Sequence, residues 1–214
     1  MKLKQLLVLM LFCLSHHFAV HAQNNYSSVK AKFGITGGLN FLSISKIKSV
    51  DLATKSNTGF FIGGHYSMPA KRFGYRTEVL FSRQGYDYQT NTQTGNVMLD
   101  YIVLPQLTTL NITKFFQLYA GGQVAFLLNA KVDSLASPSS APNPAKAKDA
   151  FAKVNYGFVG GVELKPLAGL LVGGRYNLFF DMLGNAQTTS PAYVPKYNGN
   201  LKNGLVQLYV GYRF

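Results

Sequence analysis

A chain of 214 residues with one cysteine and four histidines has little material for disulfides or for zinc sites built on several Cys and His ligands. Its length suits one domain, and a net charge of +13 favours anionic lipid head groups or polyanions as surroundings. The basic residues are scattered and accompany no nucleic-acid motif, which argues against nucleic acid as a partner.

The first element is a leader. Met1-Lys2-Leu3-Lys4 is a short basic stretch, and Gln5 to Leu14 is almost wholly apolar. That run has the length of a signal-peptide core and is too short to span a bilayer as a helix. Val20-His21-Ala22 fits a small-x-small cleavage site, so residues 1–22 are expected to be a cleaved signal peptide. Cys13 and three of the four histidines leave with it, and His65 alone remains. Residues 23–31 are expected to form a short periplasmic segment, and 32–214 a single β-barrel domain.

No later apolar run reaches helical spanning length, so any membrane crossing must use strands. Eight are predicted: Lys32–Ile44, Gly59–Met68, Arg72–Tyr88, Val97–Ile112, Phe115–Ala130, Phe151–Lys165, Gly169–Leu183 and Asn203–Phe214. Each is long enough for a tilted transmembrane strand. Pro69-Ala70-Lys71, Thr113-Lys114 and Pro166-Leu167-Ala168 read as tight turns. Ser45–Thr58, Gln89–Asn96, Lys131–Ala150 and Gly184–Lys202 read as longer loops. Short and long connections thus alternate without exception, as in outer-membrane barrels with short periplasmic turns and longer outer loops. The expected fold is an all-β, eight-stranded antiparallel up-and-down transmembrane barrel.

Five strands carry a Gly-Gly pair: Gly37-Gly38, Gly63-Gly64, Gly121-Gly122, Gly160-Gly161 and Gly173-Gly174. In a narrow barrel the inward glycine makes room for a bulky neighbour, and the outward one can lie under an aromatic ring. A phosphate-cradling loop would need a helix after the glycines, and no helical periodicity follows them.

Alternation gives each strand two rows. Gln117, Tyr119, Gly121, Gln123 and Asn129 oppose Phe116, Leu118, Ala120, Val124, Phe126 and Leu128; Arg76, Glu78, Ser82 and Gln84 oppose Phe73, Tyr75, Val79 and Phe81. Around Ile102-Val103-Leu104 both rows are apolar, leaving that strand's faces undecided. With the apolar rows in lipid, Arg76, Glu78, Glu163, Arg175 and Arg213 gather in one lumen. Eight strands enclose a space that side chains fill, so these charges must pair. They form either a packed ionic core or a gated polar path. Phe60, Tyr66, Phe73, Tyr75, Tyr101, Tyr156, Phe179, Phe180 and Tyr212 fit aromatic girdles at both interfaces. In the last strand Val210, Tyr212 and Phe214 share the lipid-facing row, and this ending resembles the signal by which outer-membrane barrels engage their assembly machinery.

Four stretches carry a family resemblance: Phe33-Gly34-Ile35-Thr36-Gly37-Gly38-Leu39-Asn40-Phe41, Glu78-Val79-Leu80-Phe81-Ser82-Arg83-Gln84-Gly85, Tyr101-Ile102-Val103-Leu104-Pro105 and Tyr156-Gly157-Phe158-Val159-Gly160-Gly161-Val162-Glu163. Together with the aromatic end, they resemble the PorT-like outer-membrane β-barrels of Bacteroidetes. The resemblance implies a bacterial outer-membrane barrel and, for some members, assistance to a protein secretion system. It implies no active site and no cofactor. Pro105 is expected to mark a bulge or a missing ladder bond.

The residues point to a non-enzymatic barrel in contact with outer-membrane lipid and lipopolysaccharide. Lys46, Lys48, Lys55, Lys131, Lys146, Lys148, Lys196 and Lys202 would place positive charge on its outer loops. Alternatives are a secretion or assembly accessory and a small pore or apolar-ligand binder. No catalytic or metal-binding residues are assigned. A lipid-acting enzyme would have to use His65 as its base, and that residue faces the lumen near the turn at Pro69, away from the outer strand ends.

Overall fold

The computed structural model describes residues 31–44, 53–68, 71–89, 94–134, 148, 151–180 and 203–214. Eight strands run in chain order: β1 (Lys32–Ile44), β2 (Ala53–Met68), β3 (Phe73–Gln89), β4 (Thr94–Asn111), β5 (Phe116–Ser134), β6 (Val154–Leu164), β7 (Leu170–Phe179) and β8 (Asn203–Arg213). Each pairs antiparallel with its sequence neighbours, and β8 returns to β1 from Gly34↔Arg213 to Ile44↔Asn203, so the sheet closes. Closure removes the open edge from the eight-strand girdle, and the ends of β2 and β5 beyond it pair on one side only. The expected leader 1–22 and nearly all of 23–31 lie outside the described residues, as do most of the loops 45–58, 131–150 and 184–202.

The outward rows are mostly apolar from the short turns upward and become polar only towards the long-loop ends, where Arg83, Asp87, Asn129 and Lys131 project. Phe33, Ile62, Phe73, Phe158 and Val210 are each about 60 % exposed, and Val206, Leu208, Tyr212 and Phe214 project outward with them. A water-soluble barrel does not present such a continuous apolar surface. Aromatic pairs band both ends, with Phe33–Tyr66 and Tyr212–Phe214 at the short turns and Phe158–Phe180 at the opposite end. At about 3.3 Å per residue and a tilt of about 40°, a strand as short as β6 reaches about 25 Å, the height of an outer-membrane apolar band.

Turn chemistry fits the sharp corners. Thr113 Oγ1 accepts from the N–H of Phe115 (3.1 Å) and Phe116 (3.0 Å), closing β4 onto β5. Gly169 takes φ = 83° between β6 and β7, a conformation that a side chain would strain.

Three expectations are corrected. β2 to β5 run on past the bilayer height, while β6, β7 and β8 stay short, so one wall stands taller. The predicted loop Gln89–Asn96 shrinks to residues 90–93, and the strict alternation of short and long connections fails there. Its polar residues pair as strand, with Asn96 donating to Asp87 at 2.7 Å. Second, the β4–β5 register shifts between Asp100↔Asn129 and Tyr101↔Leu127, a bulge at Leu128. Asn129 therefore points outward, and Ala130 and Val132 continue the inner row. Third, the outward glycines of the five pairs lie under no aromatic ring; the covered outward glycine is Gly204, beneath Tyr176. Of the two alternatives expected at Pro105, the structure shows the missing ladder bond and not the bulge. The β3–β4 ladder lapses between Thr77↔Gln106 and Leu80↔Val103 and resumes in register.

Candidate functional site

Among the described residues the inner row is buried side chain against side chain, in layers. Its charged layer lies towards the short turns. Arg76 of β3 meets Glu163 of β6 through two parallel hydrogen bonds, Nη1 to Oε2 at 2.7 Å and Nη2 to Oε1 at 2.8 Å. Arg175 of β7 donates to Glu78 of β3 at 2.6 Å, and Glu78 lies 3.7 Å from Arg76. All four are almost fully buried, and Glu163 has no exposed surface. The layer carries two positive and two negative charges in alternation and is neutral. Burying charge is costly, and here paired geometry and further hydrogen bonds offset that cost.

Glycine makes the room. The inner members of the pairs leave space for large neighbours: a β-carbon on Gly161 would meet the Tyr119 hydroxyl at 2.6 Å, and one on Gly173 would meet the Tyr209 ring at 2.5 Å. Tyr119 and Tyr209 join hydroxyl to hydroxyl at 2.9 Å, and Tyr209 donates to Glu163 at 3.0 Å. Arg175 lies over the rings of Phe61 and Tyr209, with its guanidinium carbon 4.8 and 5.5 Å from the centroids.

Above this, a layer of amides continues the chain. Arg175 Nε donates to Gln207 at 2.6 Å, Gln207 to Asn40 at 2.5 Å, Asn40 to Ser82 at 3.0 Å, and Gln84 to Ser82 at 3.2 Å. Nearer the long loops the inner row turns apolar, with Val97, Leu99, Leu127, Ala130, Val132, Phe151 and Leu205 packed together. This cap decides the ambiguous fourth strand: Val97, Leu99, Tyr101 and Val103 face inward. The small gap among Gln84, Tyr101, Ala125, Asn155 and Phe179 leaves no room for a water molecule.

Of the five residues expected in the lumenal cluster, Arg76, Glu78, Glu163 and Arg175 come together. Arg213 lies lower, half-buried at the mouth, and makes no ion pair among the described residues. Val210, Tyr212 and Phe214 all project outward. The sequence reading missed Tyr209 and Gln207 as lumenal partners, although both lie on the row opposite Leu208 and Val210. His65 faces the lumen, and neither ring nitrogen has a hydrogen-bond partner; Ser67 Oγ donates instead to the Lys32 carbonyl at 3.2 Å. Among the described residues no three His, Cys, Asp or Glu side chains converge on a metal position.

The chain resembles several solved outer-membrane barrels. Neisserial surface protein A, at 14 % identity and a TM-score of 0.53, is covered over 99 % of its length by 86 % of this chain. Ail, the attachment invasion locus protein of Yersinia pestis, aligns at 15 % identity and a TM-score of 0.47, over 86 % of this chain and 97 % of its own. OprG of Pseudomonas aeruginosa aligns at 13 % and 0.44, over 88 % and 98 %. At 14 % identity the likeness to Neisserial surface protein A speaks for fold alone. No curated protein matches the sequence. The model of the outer membrane protein beta-barrel domain matches residues 6–214, and the chain belongs to that family of bacterial outer-membrane barrels.

Proposed function

We propose that this protein is a non-enzymatic barrel that works through its outer loops and not through its lumen. The observation that carries this reading is the mutual neutralisation of Arg76, Glu78, Glu163 and Arg175, which ties three strands together and leaves none of the four charges for a passing solute. The apolar layer above them adds a second seal. On this reading residues 1–22 direct export and are removed, and Val210, Tyr212 and Phe214 present the last strand to the assembly machinery. The chain is placed with the PorT-like barrels of Bacteroidetes on the four stretches that resemble them. The loop lysines meet phosphate groups of lipopolysaccharide, the partner that suits their charge.

The test is a loop-trimmed variant in which residues 136–147 and 184–200 are replaced by short Asn-Gly turns and Lys46, Lys48, Lys148 and Lys202 by Gln. Wild-type protein in detergent is expected to bind purified lipopolysaccharide, and the trimmed barrel, still heat-modifiable on a gel, is expected to lose at least tenfold in affinity. Undiminished binding by the trimmed barrel would contradict the reading.

A further inference from the structure

The lumen's short-turn mouth is built unlike the layers above it. In the ladders His65 of β2 and Arg213 of β8 stand on either side of Gly34 of β1. Gly34 supplies no side chain, and the His65 ring leans across it, where a β-carbon would strike ring atoms Cε1 and Nε2. His65 is 4 % exposed, and both its nitrogens are buried without a partner, as is Arg213 Nε. Lys165 follows Glu163 on the inner row and enters the same mouth, half-buried, with its Nζ held by Asn111 Oδ1 at 3.0 Å.

Charge is out of balance here. Glu78 and Glu163 are taken up by Arg76 and Arg175, so no described acid pairs with Lys165 or Arg213. The other charged side chains described at this end, Lys32, Lys71, Arg72 and Lys114, are all cations, and the terminal carboxylate of Phe214 is the acid next in sequence to Arg213. Partly buried cations without counter-charge are costly, and that cost falls when an anion enters. Burial, and then the neighbouring Arg213 guanidinium, push the Lys165 ammonium down to about 8, in spite of Glu163.

We propose that this mouth is an anion site in which Arg213, Lys165 and His65 grip one phosphate group. A guanidinium fork from β8, an ammonium from the residue after β6 and one imidazole N–H from β2, all on the inner side of this mouth, match in kind the several oxygens of a tetrahedral oxyanion. The phosphate is either a free anion or the head group of a phospholipid, because the aromatic band formed by Phe33, Tyr212 and Phe214 sets the mouth at head-group depth. Binding weakens as pH rises through about 8, where Lys165 loses its proton, and the bound anion moves that loss to higher pH.

The experiment uses the whole chain folded in an uncharged maltoside micelle. Inorganic phosphate is titrated by calorimetry at neutral and alkaline pH, and retention of phosphatidylglycerol doped into the micelle is read by native mass spectrometry. Lys165→Gln and Arg213→Gln are compared with Lys71→Gln and Arg72→Gln, each first checked for a heat-modifiable band. Should Arg213→Gln fail to fold, Lys165→Gln decides. Saturable phosphate binding that falls at least tenfold only in the two mouth variants supports the site with a free anion. Phosphatidylglycerol retention lost only in those variants supports it with a head group. Absence of both, or losses as large in Lys71→Gln and Arg72→Gln, overturns it.

Discussion

Arg76 and Glu163 hold each other across the lumen, from strands β3 and β6 that are not neighbours in the barrel. Glu78 and Arg175 make a second cross-lumen tie between β3 and β7. Backbone ladders link only adjacent strands, so these ties fix the cross-section in a way that closure alone does not.

Removing one partner leaves a buried charge without compensation. Glu163→Gln and Arg76→Met are each expected to destabilise the folded barrel by about 3–5 kcal/mol, while the Arg76→Met, Glu163→Leu double variant recovers most of that loss. Urea unfolding in micelles, read as the shift of the heat-modifiable band, measures all three. Additive losses in the double variant would deny the coupling.

The Arg83–Asp100 pair is a contrast on the outer surface. Arg83 Nε and Nη2 reach Asp100 at 2.7 and 3.1 Å; the Asp100 side chain is only 11 % exposed, but the Arg83 side chain is 42 % exposed and keeps its contact with water when Asp100 is neutralised. Asp100→Asn is expected to cost below about 1 kcal/mol in the same assay.

The inner glycine of one Gly-Gly pair and the outer glycine of another should respond differently to alanine. Gly173 faces the Tyr209 ring and the Val162 carbonyl at 2.5 and 2.7 Å from a notional β-carbon, whereas the nearest atom to one on Gly160 is the Tyr119 carbonyl at 3.8 Å. Gly173→Ala should cost about 1–3 kcal/mol by overpacking. Gly160→Ala should stay within about 0.5 kcal/mol. Equal effects would mean that the inner glycines do not make room for the tyrosines.

Lys165 gives stability a pH signature. Its folded-state ammonium loses its proton at about 8, below the ordinary lysine value of 10.5. Between those values the unfolded chain binds the extra proton and the folded chain does not, so this residue's contribution makes stability rise with pH across that window. Lys165→Gln should flatten the rise. An unchanged slope in the variant would assign the titration elsewhere.

Much of this was legible from period two alone. The inward placement of Arg76, Glu78, Glu163 and Arg175, and the outward placement of Val206, Leu208, Val210, Tyr212 and Phe214, follow from alternation and from the apolar row belonging in lipid. Alternation separates two faces but does not say what each touches. The inward Val97, Leu99 and Tyr101 therefore looked the same as a lipid-facing row. The projecting ends of β3 and β4 read as loop because they are polar on both faces, as strands beyond the membrane are free to be. Asn129 was misplaced because a bulge reverses the parity of every residue after it and leaves no mark in the pattern itself.

Planar-bilayer conductance of the heat-modifiable protein tests the sealed lumen most directly. No single-channel steps are expected at neutral pH, because the charged layer is neutral and cross-tied and an apolar layer lies above it. Discrete, reproducible steps from the folded wild-type barrel would contradict that account and make Arg76, Glu78, Glu163 and Arg175 the lining of a pore.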